Sequence, residues 1–116
     1  MVKPISIREL QTLQRGKEEF ALISVLSETD FQRASIYGST NVPLDSPDFL
    51  QSVEKQTAGD KHKRVVVYCA GSKCDASTRA ANKLAAAGYT HVEDYRGGID
   101  EWNASQSGGR GQVKSG

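Results

Sequence analysis

The chain has 116 residues, a formal net charge of +1, 37% apolar and 25% charged residues. That suits one compact domain with a modest core and leaves little room for a second. Its scattered charge argues against a broad footprint for nucleic acid or an anionic membrane, no apolar run approaches a membrane span, and two cysteines are too few for a secreted disulfide scaffold.

Met1-Val2-Lys3-Pro4 leads into a polar, amphipathic segment, not a signal-peptide core, so the cytoplasm is expected, with both cysteines held as thiols unless catalysis or oxidation joins them. Ser6-Ile7-Arg8-Glu9 has the form of a capping box, and Ile7, Leu10 and Leu13 then make the stripe of a short surface helix ending near Gly16. Ala21-Leu22-Ile23-Ser24-Val25 reads as a central strand. Ser27 can start a brief helix that carries Phe31 inward and stops before Gly38. Thr40-Asn41-Val42-Pro43 is a short extended piece, and Ser46-Pro47 opens a helix with Phe49, Leu50 and Val53 on one side. Residues 57–64 form a polar loop.

The organising stretch runs from Arg64 to Gly88. Val65, Val66, Val67 and Tyr68 form a β-branched and aromatic run too short for a helix, the pattern of a strand buried on both faces of a parallel sheet. From Asp75 or Ser77 the pattern turns helical, with Ala80, Ala81, Leu84 and Ala85 on one face and Gly88 at the end. Cys69 therefore stands at the carboxyl end of a central strand, just before a helix, where open α/β sheets collect ligands and where amides favour an anion. A thiolate is the reactive form of cysteine, so this position suits sulfur chemistry; a buried structural cysteine is the alternative. His91 to Tyr95 is a further strand, Gly97-Gly98 a tight turn, and Ile99 to Ala104 a last helix packed through Trp102. Residues 1–104 then form the domain, and 105–116, SQSGGRGQVKSG, a flexible tail with little to bury.

Alternating strands and helices imply a mainly parallel α/β sandwich with right-handed crossovers. Neither the dinucleotide fingerprint nor the phosphate loop is present, and no cofactor is called for. The order of these pieces, from the opening helix with Leu10 through ALISV, Ile36-Tyr37-Gly38, Asn41-Val42-Pro43, VVVYC, Ala80-Ala81 with Leu84, Gly88-Tyr89 and Gly97-Gly98-Ile99 to Trp102, resembles the single-domain rhodanese-like sulfurtransferases.

The resemblance implies a three-layer sandwich with a mainly parallel five-stranded sheet flanked by helices. It also implies that Cys69 is the catalytic residue, attacking a thiosulfate-like donor, carrying its sulfane sulfur as a persulfide and passing it to a thiol or cyanide. The loop of Ala70, Gly71, Ser72, Lys73, Cys74, Asp75 and Ala76 would bind the donor, its amides stabilising the thiolate and the persulfide. The partners implied are a small anionic sulfur donor and a thiol acceptor, with a protein sulfur donor or acceptor as the alternative, and no nucleic acid and no membrane. This chain departs from the family pattern in a longer loop, in the lack of an arginine near that loop's end, in Ser24-Val25-Leu26 for Asp-Val-Arg, and in Ser35-Ile36-Tyr37-Gly38 for His-Ile-Pro-Gly. The alternative is a non-catalytic or redox-regulated binding module of the same fold.

Lys73 could attract an anion, with Asp75 opposing it; otherwise it is a solvated loop lysine. Arg79 falls opposite Ala80 and Leu84 on the helix, facing solvent. Cys74 is close enough along the chain to act as a resolving thiol for Cys69, or is a passive second thiol. An alternative alignment makes Cys74 the nucleophile. A cysteine phosphatase would need an arginine where Asp75 stands, and the spacing of Cys69, Cys74, His62 and His91 matches no common zinc site, so no metal is expected and both histidines read as surface or edge residues.

Overall fold

The computed structural model describes residues 2–71 and 73–111, with side chains through Ser105. The central strand, β4 (Arg64–Tyr68), owes its place to alternation. Val65 and Val67 join one apolar cluster and Val66 and Tyr68 the other, and all four are fully buried. Each valine contributes on the order of 1.5–3 kcal/mol by that burial.

Around it the order of strands is β1-β5-β4-β2-β3, with β1 at Val2–Pro4, β2 at Phe20–Ser24, β3 at Thr40–Asn41 and β5 at Val92–Tyr95. Every described pairing is parallel, with Ser24 opposite Tyr68 and Tyr68 opposite Tyr95. The five-stranded sheet implied by the family resemblance is therefore present. The residue pattern alone missed β1, which has only three residues and includes Pro4. Proline is tolerated there because the strand lies at the sheet's edge, where it has a single neighbour.

Helices cover both faces. On one, α1 (Ile7–Arg15) and α5 (Gly98–Gly111) bring Leu10, Ile99 and Trp102 onto Leu22, Val66, Tyr68 and Tyr95. On the other, α3 (Phe49–Thr57) and α4 (Ala76–Ala86) bring Phe49, Val53, Ala80, Ala81 and Leu84 onto Ile23, Val65 and Val67. The expected capping box is formed at α1, where Ser6 Oγ accepts from the Glu9 amide at 3.1 Å and Glu9 Oε1 accepts from the Ser6 amide at 2.9 Å.

Several local readings change. The short α2 (Glu28–Arg33) buries none of its residues fully, so Phe31 is only half-buried. Helix α3 begins at Phe49 instead of at Ser46-Pro47, and Leu50 turns outward, 37% exposed, because its neighbours Phe49 and Val53 occupy the inward stripe. Ala85 is half-buried. The last helix runs to Gly111, past the Ala104 end that the composition suggested, so Ser105 and the six positions after it are helical. The rest of the expected tail, residues 112–116, lies outside the described residues.

Candidate functional site

The site begins where β4 ends. Tyr68 points to the α1 and α5 face, and its hydroxyl accepts from the Ile36 amide at 3.0 Å and meets Ser39 Oγ at 2.8 Å. By strand parity Cys69 turns to the opposite face, where it is 1% exposed within the α3 and α4 cluster. The following backbone is gripped by α5. Its first amides, those of Ile99 and Asp100, donate to the carbonyls of Cys69 at 3.0 Å and Ala70 at 2.8 Å.

This close approach requires Gly98. Its φ is +62°, and a Cβ there would lie 2.8 Å from the Ala70 carbonyl carbon and the Gly71 nitrogen.

Cys69 and Cys74 are joined as a disulfide, with Cα atoms 6.5 Å apart. Cys74 turns its carbonyl toward Cys69 Sγ, 3.6 Å away, and its amide to the Gly71 carbonyl at 3.0 Å. The expected ring of loop amides around the sulfur is thus not formed at Cys74. The physical reason is that the Cys74 amide is taken up by the Gly71 carbonyl in a turn.

Beside the pair is an opening of about 520 Å³ lined by Ala70, Gly71, Lys73, Cys74 and Asp100. Cys74 is half-exposed there, and Lys73 and Asp100 are exposed. Ser72 lies outside the described residues. Asp75 stands at the N-cap of α4 without a capping hydrogen bond, and Ala76 opens the helix. Arg79 faces solvent, 3.9 Å from Asp75 Oδ1, and does not line this opening.

Asp100 was not singled out from the sequence. Its carboxylate lies over Gly71, so close that a Cβ at 71 would sit 2.7 Å from Oδ2. The signal was the Gly97-Gly98-Ile99-Asp100 turn, which follows a strand and so reaches the same carboxyl edge of the sheet as Cys69. With Lys73 and Asp100 the opening carries one charge of each sign.

The histidines lie elsewhere. His62 Nδ1 meets Thr90 Oγ1 at 3.1 Å, and His91 Nε2 accepts from Arg64 Nε at 3.1 Å. Among the described residues no three of His, Cys, Asp and Glu gather as a metal site, and no helix is long and apolar enough to cross a membrane. A separate recess of about 280 Å³ lies between α1 and the pair of half-buried Arg64 and buried Glu93, whose Nε and Oε1 are 2.9 Å apart. No cysteine lines it.

A five-stranded parallel sheet with a cysteine just beyond its middle strand places a thiol at the carboxyl edge where α/β domains collect ligands. The sequence matches the Rhodanese-like domain family over residues 6–105, and the chain belongs to that family, one of sulfurtransferases and sulfur carriers. It is 29% identical over 101 residues to the Adenylyltransferase and sulfurtransferase UBA4 of Candida albicans, covering 85% of this chain but only 23% of that protein. The rhodanese-like domain of the Alr3790 protein of Anabaena sp. superposes with a TM-score of 0.74 at 25% identity, over 90% of this chain and 75% of that one. The human single-domain sulfurtransferase TSTD1 shares the fold, with a TM-score of 0.72 at 21% identity over 87% of this chain and 95% of that one.

Proposed function

We propose that the reduced chain is a sulfurtransferase or sulfur carrier that moves sulfane sulfur through a persulfide on Cys69. The observation that supports the reading is the place of Cys69, at the carboxyl end of the central strand and immediately before α4. Opening the disulfide frees Cys74 and uncovers the sulfur behind it. The Cys69 thiolate then attacks the outer sulfur of a donor such as thiosulfate, the donor's S–S bond breaks, and sulfite leaves with the electron pair. A charged intermediate at Cys69 would be stabilised by loop amides turned toward it.

Lys73 is the cation of the opening and Asp100 its counterweight, so the entrance holds no net attraction for a dianion. This favours weak use of free thiosulfate and a thiol or protein-bound persulfide as partner. The location that goes with it is the cytoplasm, where thiol reductants return Cys69 and Cys74 to the reduced state.

The test is sulfite release. Fully reduced protein, freed of reductant and given thiosulfate, should release one sulfite per chain, and Cys69→Ser should release none. A second reading, a redox-regulated binding module without turnover, is favoured by the 1% exposure of Cys69. It predicts no sulfite from the reduced wild-type chain.

A further inference from the structure

The two cysteines differ in access. Cys69 is 1% exposed inside an apolar cluster, whereas Cys74 is half-exposed and lines the opening. A sulfane sulfur built on Cys69, as the reading above requires, therefore lies behind the loop. The nucleophile already positioned to meet it is Cys74, whose Cα is 6.5 Å from that of Cys69 and whose sulfur is bonded to Cys69 in this structure.

The geometry points to a discharge step in which Cys74 Sγ attacks the inner sulfur of the Cys69 persulfide and expels the sulfane sulfur as hydrosulfide. The Cys69–Cys74 S–S bond forms as the persulfide S–S bond breaks. Hydrosulfide leaves with the bonding electron pair, and the proton given up by Cys74 balances its charge. The sulfane sulfur is reduced to sulfide by two electrons, and the two cysteines are oxidised to their disulfide. No outside oxidant enters.

The structure then corresponds to the discharged state of the cycle. Returning it to service takes a dithiol reductant. One thiolate of that reductant attacks the accessible sulfur of Cys74, and Cys69 departs as the thiolate. The reductant's second thiol then displaces Cys74 from the mixed disulfide and leaves the reductant oxidised. For this chain the terminal reductant is thus a dithiol, and the released product is sulfide instead of a sulfurated small molecule.

This inference rests on the persulfide reading, and the experiment separates the two. Reduced protein, stripped of reductant under anaerobic conditions, is given thiosulfate, and sulfite, sulfide and intact mass are measured. The wild-type chain should release one sulfite and one sulfide and end lighter than the reduced form by two hydrogens. Cys74→Ser should release sulfite without sulfide and gain the mass of one sulfur atom. Peptide mapping of the wild-type product should recover Cys69 linked to Cys74, a readout that needs no variant to fold. A wild-type chain that releases sulfite yet keeps the added sulfur overturns the discharge step and leaves the persulfide reading standing. Equal sulfide from Cys74→Ser overturns it as well. Absence of sulfite from both chains overturns the persulfide reading itself, and the discharge step with it.

Discussion

Replacing Gly98 with alanine should damage the fold and the reactive loop together. Two costs act at this position. A φ of +62° costs an alanine about 1–2 kcal/mol. The new Cβ also meets the backbone of Ala70 and Gly71 at 2.8 Å, and backbone atoms cannot swing aside as a side-chain tip can. Overpacking of that kind adds about 1–3 kcal/mol. The total, about 2–5 kcal/mol, is a large part of the 5–15 kcal/mol that typically stabilises a domain, and at about 4–8 °C per kcal/mol it lowers Tm by about 8–40 °C. The control is Gly38→Ala, where φ is +86° but nothing lies within 4 Å of a Cβ, so only the conformational cost applies. Urea titrations of both variants, followed by circular dichroism, give the difference that belongs to the close approach. Equal losses of stability at 98 and 38 would refute the claim that α5 is seated against the Cys69 loop by contact.

Asp100→Asn should raise kcat/KM for thiosulfate about two- to five-fold, because it removes one like charge from the lining of the opening, and the gain should fade in high salt. Arg64→Met should cost about 3–5 kcal/mol in denaturant titrations, because it strands the Glu93 carboxylate, 2% exposed, without its cation; Arg64→Met combined with Glu93→Leu should recover most of that loss. Burial raises the Tyr95 hydroxyl above its ordinary pKa, and the Glu101 carboxylate adds to the rise. The folded chain therefore holds this proton more tightly than the unfolded one, so the contribution is complete below about pH 10 and declines as pH climbs above that value. Tyr95→Phe should flatten the alkaline limb of a stability-against-pH curve. Ser6→Ala, which removes the capping box of α1, should cost about 1 kcal/mol and be visible as a small drop in Tm.

The layout of the domain was legible because β4 is a continuous β-branched and aromatic run, buried on both faces, and the α4 stripe repeats at helical spacing, both local properties of the chain. The place of Cys69 followed from the same run. Harder to read were features settled by tertiary contact. Strand β1 is three residues with a proline and gains its identity only by pairing with β5. Leu50 looks like a core residue by composition and is turned outward by the pitch of α3. The extent of α5 through Ser105-Gln106-Ser107-Gly108-Gly109 runs against helix propensity, which disfavours glycine. Asp100 is far from the loop in sequence and reaches it only because β5 and β4 are neighbours whose carboxyl ends share one edge. The union of Cys69 with Cys74 depends on the path of the loop, which spacing alone left open.

The hydroxyl of Tyr68 ties the residue just ahead of the reactive cysteine to the turn that displays Tyr37, a side chain 88% exposed, whose own carbonyl is held by Gln14 Nε2 at 2.9 Å. The interior and one patch of the exterior are thereby joined by a short run of hydrogen bonds, so the buried end of β4 and the turn at Tyr37 hold one another in place.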